Sequence, residues 1–215
     1  MNRDFEFRQL LRAYRAGVIS EELFEAEIAE LERKSVANGS GGGGGFRAFG
    51  KTYRSERDAI VSFIDKVRVA EANAAEGFAA WANVTPTDCI RSGLRMIAER
   101  EAYHGRIFAN RLMELGGEGR AQVSDDSRQF NACAADPAMS DSEKLLRVAA
   151  TIRDPEAIIR PILEFAESLK EDVETKEALR LFAEDELSST RWLLYACAAL
   201  NPSVQAEAAG AQAAG

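Results

Sequence analysis

The sequence predicts an all-α protein whose main part is a four-helix bundle with one long crossover between its second and third helices. Only five prolines occur while Ala, Glu, Leu and Arg are abundant, so strands find little support. Apolar residues recur at alternating steps of three and four over residues 55–83, 86–115, 141–169 and 173–200, which is the period of an amphipathic helix. Two connections between these stretches are short and one is long.

Composition excludes several classes of function. The chain is 46% hydrophobic and 29% charged, as in a globular protein with a core, and its net charge of −8 argues against a nucleic-acid partner. The longest apolar run, residues 192–200, is too short to span a membrane, and the opening "MNRDFEFRQL" lacks the apolar segment of a secretion signal. Cys89, Cys133 and Cys197 show no CxxC spacing and indicate reduced thiols, so we expect a cytoplasmic protein without a membrane partner.

The N-terminal piece, residues 1–35, predicts two short helices around a stop at Gly17, with Ser20 as the N-cap of the second. Its stretch "LLRAYRAGVISEELFEAEIAELE" resembles the SHOCT (short C-terminal) module over about 25 residues. A hairpin this small cannot bury enough apolar surface to stand alone, so we expect it to self-associate or dock on a protein partner. Residues 36–54 are predicted to be a Gly-rich linker, and residues 201–215 a disordered Ala-rich tail.

The bundle is predicted over residues 55–200. The Val-Thr-Pro sequence at residues 84–86 closes the first helix pair tightly, and "LKEDVETKE" closes the second pair with an N-cap at Asp172 or Thr175. Residues 116–140, rich in Gly, Ser, Asp and Asn, form the long connection between the pairs. A four-helix bundle with one such crossover has the arrangement of ferritin-like folds.

Each predicted helix carries one glutamate near the middle of its apolar stripe: Glu71, Glu101, Glu156 and Glu186. His104, the sole histidine, follows Glu101 by three residues and so shares its helical face. Within each antiparallel pair the two glutamates are about equally far from the connecting turn, as Glu71 is about thirteen residues before its turn and Glu101 about fifteen after it. The four carboxylates are therefore predicted to converge at one height.

Four ionised carboxylates in an apolar interior need compensation. Desolvation of each costs several kcal/mol and their mutual repulsion adds to that, so the groups must take up protons or bind a cation. Carboxylate oxygens with an imidazole suit iron or manganese. Each glutamate alone also has an ordinary explanation, as a solvated residue or as an ion-pair partner of Arg68, Arg95 or Arg160.

These residues resemble the ferritin-like superfamily, on its rubrerythrin-like side. The resemblance covers roughly residues 55–200 and is carried by Glu71, the "EAYH" of residues 101–104, Glu156, and "AEDELSSTRWLL" around Glu186. In that family, one Glu from each of two helices and a Glu-x-x-His from each of the other two bind two metal ions.

The resemblance implies a role for each ligand. Glu71 and Glu156 would be terminal or chelating carboxylates, Glu101 and Glu186 would bridge, and His104 would cap one metal. The implied cofactor is iron, two ions per chain in an intact site or one in an incomplete site, with manganese as an alternative.

The sequence departs from this family pattern in two places. Ser189 stands where a second histidine is expected, which leaves one metal short of a donor that water would have to replace. Pro155 and Pro161 flank Glu156, and a helix break there would swing Glu156 away and bring Glu164 closer.

Three functions from different classes follow. The first is a metal-binding ferritin-like protein that oxidises iron or a small substrate with oxygen or peroxide. The second is a degenerate bundle that serves as a non-catalytic interaction scaffold, and a small-ligand binder in place of the lost metal is a third. We expect a homodimer, because symmetric pairs are the commonest assemblies. A ferritin-type cage is not expected, since no fifth short helix follows Leu200.

Overall fold

The computed structural model describes residues 10, 20–38, 45–152 and 154–202, and this part of the chain is almost entirely helical, which confirms the all-α prediction. Its elements are α1 (Glu21–Asn38), β1 (Phe46–Ala48), β2 (Lys51–Tyr53), α2 (Glu56–Val84), α3 (Asp88–Glu114), α4 (Asp125–Ala135), α5 (Asp141–Thr151), α6 (Pro155–Ser168) and α7 (Val173–Leu200). None of the described helices is both long and apolar enough to pass through a lipid bilayer.

The first helix pair is an antiparallel hairpin with a tight connection, as predicted. The Ser55 hydroxyl caps α2 by accepting the N–H of Asp58 at 3.0 Å. At the other end the carboxylate of Asp141 accepts hydrogen bonds from Trp81 Nε1 at 2.8 Å and from the Thr85 hydroxyl at 2.5 Å. These bonds attach the turn after α2 to the start of α5.

The prediction of one continuous third helix over residues 141–169 is wrong, because the structure divides this stretch into α5 and α6. Asp154 caps the new helix by accepting the N–H of Glu156 at 3.0 Å, and Pro155 takes the first helical position, where its missing N–H costs nothing. α6 then turns back into α7 through a connection that is tied to the start of α2. The Glu56 carboxylate accepts the backbone N–H groups of residues 170–172 at 2.8–2.9 Å, and Asp172 is the N-cap of α7.

The long crossover contains an element that the sequence reading missed. Helix α4 lies within residues 116–140 and packs against α2. Asn73 donates to the carbonyl of Ser127 at 3.2 Å, and Asn131 donates to the carbonyl of Asn73 at 3.0 Å. Ahead of α4, the Asp65 carboxylate accepts the N–H of Arg120 at 3.0 Å and of Ala121 at 2.8 Å. The crossover is therefore fastened along α2.

The predicted linker, residues 36–54, also holds ordered structure. β1 and β2 pair antiparallel through a two-residue turn in which Phe49 (φ 50°) and Gly50 (φ 71°) are both left-handed, as a type I′ turn requires. The ring of Phe49 stacks on that of Phe63, with the centroids 5.0 Å apart, and its centroid is 4.8 Å from that of Phe165. These contacts hold the hairpin against the bundle.

The N-terminal prediction is met only in part by the described residues. The Ser20 hydroxyl accepts the N–H of Leu23 at 3.3 Å, as expected of an N-cap. Helix α1 continues to Asn38, beyond the expected boundary at residue 35. Apart from Leu10, the first predicted helix and Gly17 lie outside the described residues, as does the tail from residue 203.

Buried apolar side chains form two clusters, one at each end of the bundle. The upper cluster contains Phe78, Trp81, Ile90, Leu94, Ile97, Leu145 and Leu193, among others. The lower cluster contains Ile60, Ile64, Phe108, Leu112, Phe165, Leu179 and Phe182, among others. α2, α3 and α7 contribute to both clusters, whereas α4 and α5 reach only the upper one and α6 only the lower one.

Candidate metal centre

Polar side chains occupy the level between the two apolar clusters. On α2 that level lies between Ile64 and Phe78, and it holds Glu71. On α3 it holds Glu101 and His104, and on α7 it holds Glu186. Helices α2 and α3 lie close together at this level. Gly105 permits this, because a Cβ at that position would lie only 3.2 Å from the backbone nitrogen of Ala72.

The ligand atoms of this group, which we call the Glu₃His cluster (Glu71, Glu101, His104 and Glu186), all lie within 4.8 Å of one another. Nδ1 of His104 is 3.4 Å from Oε2 of Glu71 and 4.0 Å from Oε1 of Glu186. The exposed fractions are 7% for Glu71, 4% for Glu101 and 2% for His104. Glu71, Glu101 and His104 are therefore shielded from water by the surrounding helices, whereas 21% of the Glu186 side chain is exposed.

Three atoms of the Glu₃His cluster face one another without a hydrogen bond. Oε2 of Glu71, Nδ1 of His104 and Oε1 of Glu186 are buried and form no hydrogen bond with any described residue. Native proteins satisfy nearly all buried polar atoms, and leaving one unsatisfied costs about 1–3 kcal/mol. Two carboxylate oxygens within 4.0 Å of one imidazole nitrogen are a donor set that a divalent metal ion satisfies.

The electrostatics of the Glu₃His cluster favour protonation when no cation is present. Burial raises the pKa of Glu71 to about 7, and the charge of Glu186 adds to this while a hydrogen bond with Glu101 opposes it. Burial raises the pKa of Glu101 to about 9, and both a hydrogen bond with Glu71 and the charge of Glu71 add to this increase. Burial and the charge of Glu101 raise the pKa of Glu186 to about 8. A bound cation would remove this repulsion.

A carboxylate outside the cluster orients the imidazole. Oδ2 of Asp185 lies 3.1 Å from Nε2 of His104, and Phe182 meets the ring edge-to-face with the centroids 5.0 Å apart. Metal-binding histidines usually donate their second ring N–H to such a carboxylate. The sequence reading missed Asp185, although Asp185 follows the stripe residue Phe182 by three positions, just as Glu186 follows it by four.

The position expected to hold a second histidine serves another contact. Ser189 is buried, and its hydroxyl accepts a hydrogen bond from Nη1 of Arg100 at 3.3 Å. The same guanidinium donates to the Ser188 hydroxyl at 3.2 Å, and its Nε lies 3.7 Å from Asp185 Oδ1. Arg100, also missed from sequence, thus places a fixed positive charge at the α3–α7 interface beside the cluster.

The structure does not bring Glu156 to the other predicted ligands. Glu156 lies in the first turn of α6 and is exposed, and its carboxylate forms an ion pair with Arg191. The reason is the helix break, since restarting the helix at Pro155 sets a new rotation in which Ile159, not Glu156, is buried. Glu164, the alternative ligand, is exposed as well.

The residues that remain fit one metal ion better than two. Three carboxylates and one imidazole supply four donors, and an octahedral ion completes such a set with water. A dinuclear centre of the ferritin-like kind uses four carboxylates and two histidines. The chain matches no protein-family profile, no curated protein sequence and no solved structure.

Proposed function

We propose that this chain is a metal-binding protein that holds one divalent transition-metal ion, iron first and manganese second, inside a ferritin-like helical bundle. The observation that carries the proposal is the set of three unsatisfied buried atoms, on Glu71, His104 and Glu186, that face one another. The oxygen-rich donor set with one imidazole supports iron or manganese over zinc or copper, which bind sulfur and nitrogen more readily. The α2–α3 hairpin, the α6–α7 hairpin and the crossover between them support the ferritin-like arrangement.

The side chains have separate roles in this proposal. Glu71, Glu101, Glu186 and Nδ1 of His104 hold the ion, while Asp185 keeps the ring of His104 turned toward it. The carboxylates release their protons when the ion binds and take them back when it leaves. A bound iron ion supplies one-electron redox chemistry with oxygen or peroxide, which no side chain of the cluster supplies, so we propose an oxidative activity on iron or a small substrate.

Anaerobic titration of the metal-free protein with ferrous iron tests the proposal. We expect one equivalent per chain by calorimetry and native mass spectrometry, and a higher melting temperature because the ion binds only the folded state. Two equivalents would show that a second ion completes a dinuclear centre. His104→Ala should abolish tight binding, whereas Glu99→Ala, an exposed change on the same helix, should not. Failure of the wild-type chain to bind iron or manganese would contradict the proposal.

The separation of Glu156 from the cluster and the Arg100 contact at Ser189 favour a second candidate. A bundle that lacks a carboxylate and a histidine of the family pattern would act as an interaction scaffold without a metal. The same titration distinguishes the two, because the scaffold predicts no binding and no change of melting temperature with iron.

A further inference from the structure

A groove separate from the metal centre lies between α4 and α5. It encloses about 420 Å³, within the range of roughly 300–1,000 Å³ that small-molecule sites occupy. α4 lines the groove with residues at i, i+3, i+4 and i+7 from Asp126 to Cys133, and α5 does so with the same spacing from Lys144 to Thr151. One face of each helix therefore points into a shared space instead of packing against the other helix.

The groove has an apolar floor made of rings. Trp81 is 1% exposed, and its indole is held in place by the hydrogen bond from Nε1 to Asp141. Phe130 also lines the groove and packs edge-to-face on Phe78 with the ring centroids 5.2 Å apart. Val148 completes this surface from α5. Rigid rings of this kind accommodate a flat or aliphatic apolar body.

One end of the groove carries a buried ammonium group. Lys144 is 2% exposed, its Nζ donates to the carbonyl of Ala134 at 2.8 Å, and it lies 5.7 Å from the ring centroid of Trp81. An ammonium has three N–H donors, and the bond to Ala134 uses one of them. Burial lowers the pKa of Lys144, and the nearby Asp141 carboxylate opposes this change.

A second cation lies one turn further along α5. Arg147 lines the groove and is exposed, and among the described residues it makes no ion pair within 4.0 Å, although its charge acts on Glu143 four residues earlier. Asp126, the acidic residue of the lining, sits in the first turn of α4, while Ala134, at the opposite end of α4, contacts Lys144. The end of the groove near Lys144 therefore carries two cations, with the charges of Asp136 and Asp141 acting on Lys144 and Glu143 near Arg147, and the rest is mainly apolar.

We propose that this groove binds a small organic carboxylate, with its apolar body against Phe130 and Val148 above the buried Trp81, and its carboxylate on the N–H groups of Lys144 that bond no described residue, one turn along α5 from Arg147. The N–H donors of Lys144 that no described residue accepts favour an acceptor head group such as a carboxylate over an ammonium. The bond from Lys144 to Ala134 also caps the last turn of α4, and a purely structural lysine would do no more than that. The test must therefore separate recognition of a carboxylate from support of α4.

Titration of the full chain with octanoate, octanol and octylamine makes that separation, with calorimetry and tryptophan fluorescence as readouts. We expect octanoate to bind about tenfold or more tightly than octanol, as a charge-assisted hydrogen bond implies, and octylamine to bind no more tightly than octanol. The fluorescence change should persist in Trp192→Phe, because Trp81 is the tryptophan in the groove.

Two variants test the cations, and one provides the control. Lys144→Met should lower the affinity for octanoate by about tenfold and leave that for octanol unchanged. Lys170→Met, an exposed change at the other end of the bundle, should alter neither. If Lys144→Met fails to fold, Arg147→Glu serves instead, because Arg147 is exposed. Reversing its charge should lower the affinity for octanoate by about fivefold or more.

Equal affinities for octanoate and octanol, or no binding of octanoate to the wild-type chain, would overturn the proposal. So would an octanoate affinity that neither Arg147→Glu nor a folded Lys144→Met changes. None of these outcomes depends on metal, so this experiment tests the groove independently of the metal centre.

Discussion

The carboxylate of Asp185 lies 3.1 Å from Nε2 of His104 and turns the other ring nitrogen, Nδ1, toward Glu71 and Glu186. With the proton on Nε2, the lone pair of Nδ1 is directed into the Glu₃His cluster. The Asp185 side chain is 41% exposed, so it joins a buried imidazole to the surface of the bundle.

Replacing Asp185 should weaken metal binding without removing a ligand. We expect Asp185→Ala to lower the affinity for ferrous iron by about 10–100-fold, because the imidazole loses the group that sets its orientation and tautomer. Calorimetric titration under anaerobic conditions measures the change. Glu184→Ala, an exposed change at the preceding position, is the matched control and should leave the affinity unchanged. Equal affinities of Asp185→Ala and the wild type for ferrous iron would show that Asp185 does not orient His104 for metal binding.

The metal-free protein should lose stability as pH rises. The pKa of Glu101 is raised from 4.5 to about 9, and Glu71 and Glu186 are raised as well, so the folded state keeps protons that the unfolded chain has released. Where the folded state binds more protons, the free energy of unfolding decreases with pH. We therefore expect a decline from pH 4.5 to about 9, measured by denaturant titration in a chelator.

Glu101→Gln should remove the upper part of this decline, since a neutral amide needs no proton to remain buried, while the exposed change Glu99→Gln should keep the whole decline. Saturating metal should reverse the trend, because the ion competes with the same protons and binds better at higher pH. A metal-free protein with constant or rising stability over this range would show that the three carboxylates are not held close together and away from water.

Gly93 should be intolerant of even one added methyl group. A Cβ at this position would overlap the ring of Trp192, which packs against the upper cluster. We expect Gly93→Ala to lower the free energy of unfolding by about 1–3 kcal/mol, the usual cost of overpacking. Ser92→Ala is the exposed neighbouring control. In a double-mutant cycle with Trp192→Leu the two effects should not add, because the smaller side chain vacates the space that the methyl group needs. Additive effects would mean that the two residues do not touch.

The crossover should be released when Asp65 is replaced. Its carboxylate accepts two backbone N–H groups, of Arg120 and Ala121, and also binds the guanidinium of Arg68 at 2.6 Å. We expect Asp65→Ala to cost about 1.5–3 kcal/mol, the range for hydrogen bonds to a charged group. Hydrogen exchange at the two amides should accelerate, and Lys66→Ala should leave it unchanged. Unaltered exchange in Asp65→Ala would show that the loop is held by other contacts.

Helical periodicity could locate Glu71, Glu101, His104 and Glu186 because each lies within one uninterrupted helix. α2, α3 and α7 run for 29, 27 and 28 residues, so the rotation counted from one apolar residue to the next stays valid across the whole stripe. The same counting failed at Glu156, since the cap at Asp154 starts a new helix with its own rotation. The sequence contained the signal, an Asp-Pro pair, but periodicity alone does not state where the new helix points.

Short elements were beyond the reach of the same reasoning. α4 has 11 residues, so its apolar stripe covers only Phe130, Ala134 and their neighbours, which is too few positions to distinguish a helix from a loop. The β1–β2 hairpin has three residues in each strand, and tertiary contacts of Phe49 with Phe63 and Phe165 hold it in place. Such contacts join residues far apart in the chain and leave no local pattern.

The division of the interior into two apolar clusters determines how the bundle comes apart. α2, α3 and α7 pass through both clusters and link the melting of one end to that of the other, whereas α4 and α5 are anchored at one end and α6 at the other. Helix α5 ends at Thr151 and α6 begins at Pro155, so on this side of the bundle no single helix joins the two apolar clusters. We therefore expect hydrogen exchange to detect two local openings, one of α4 with α5 and one of α6, each at a lower free energy than exchange in the three long helices.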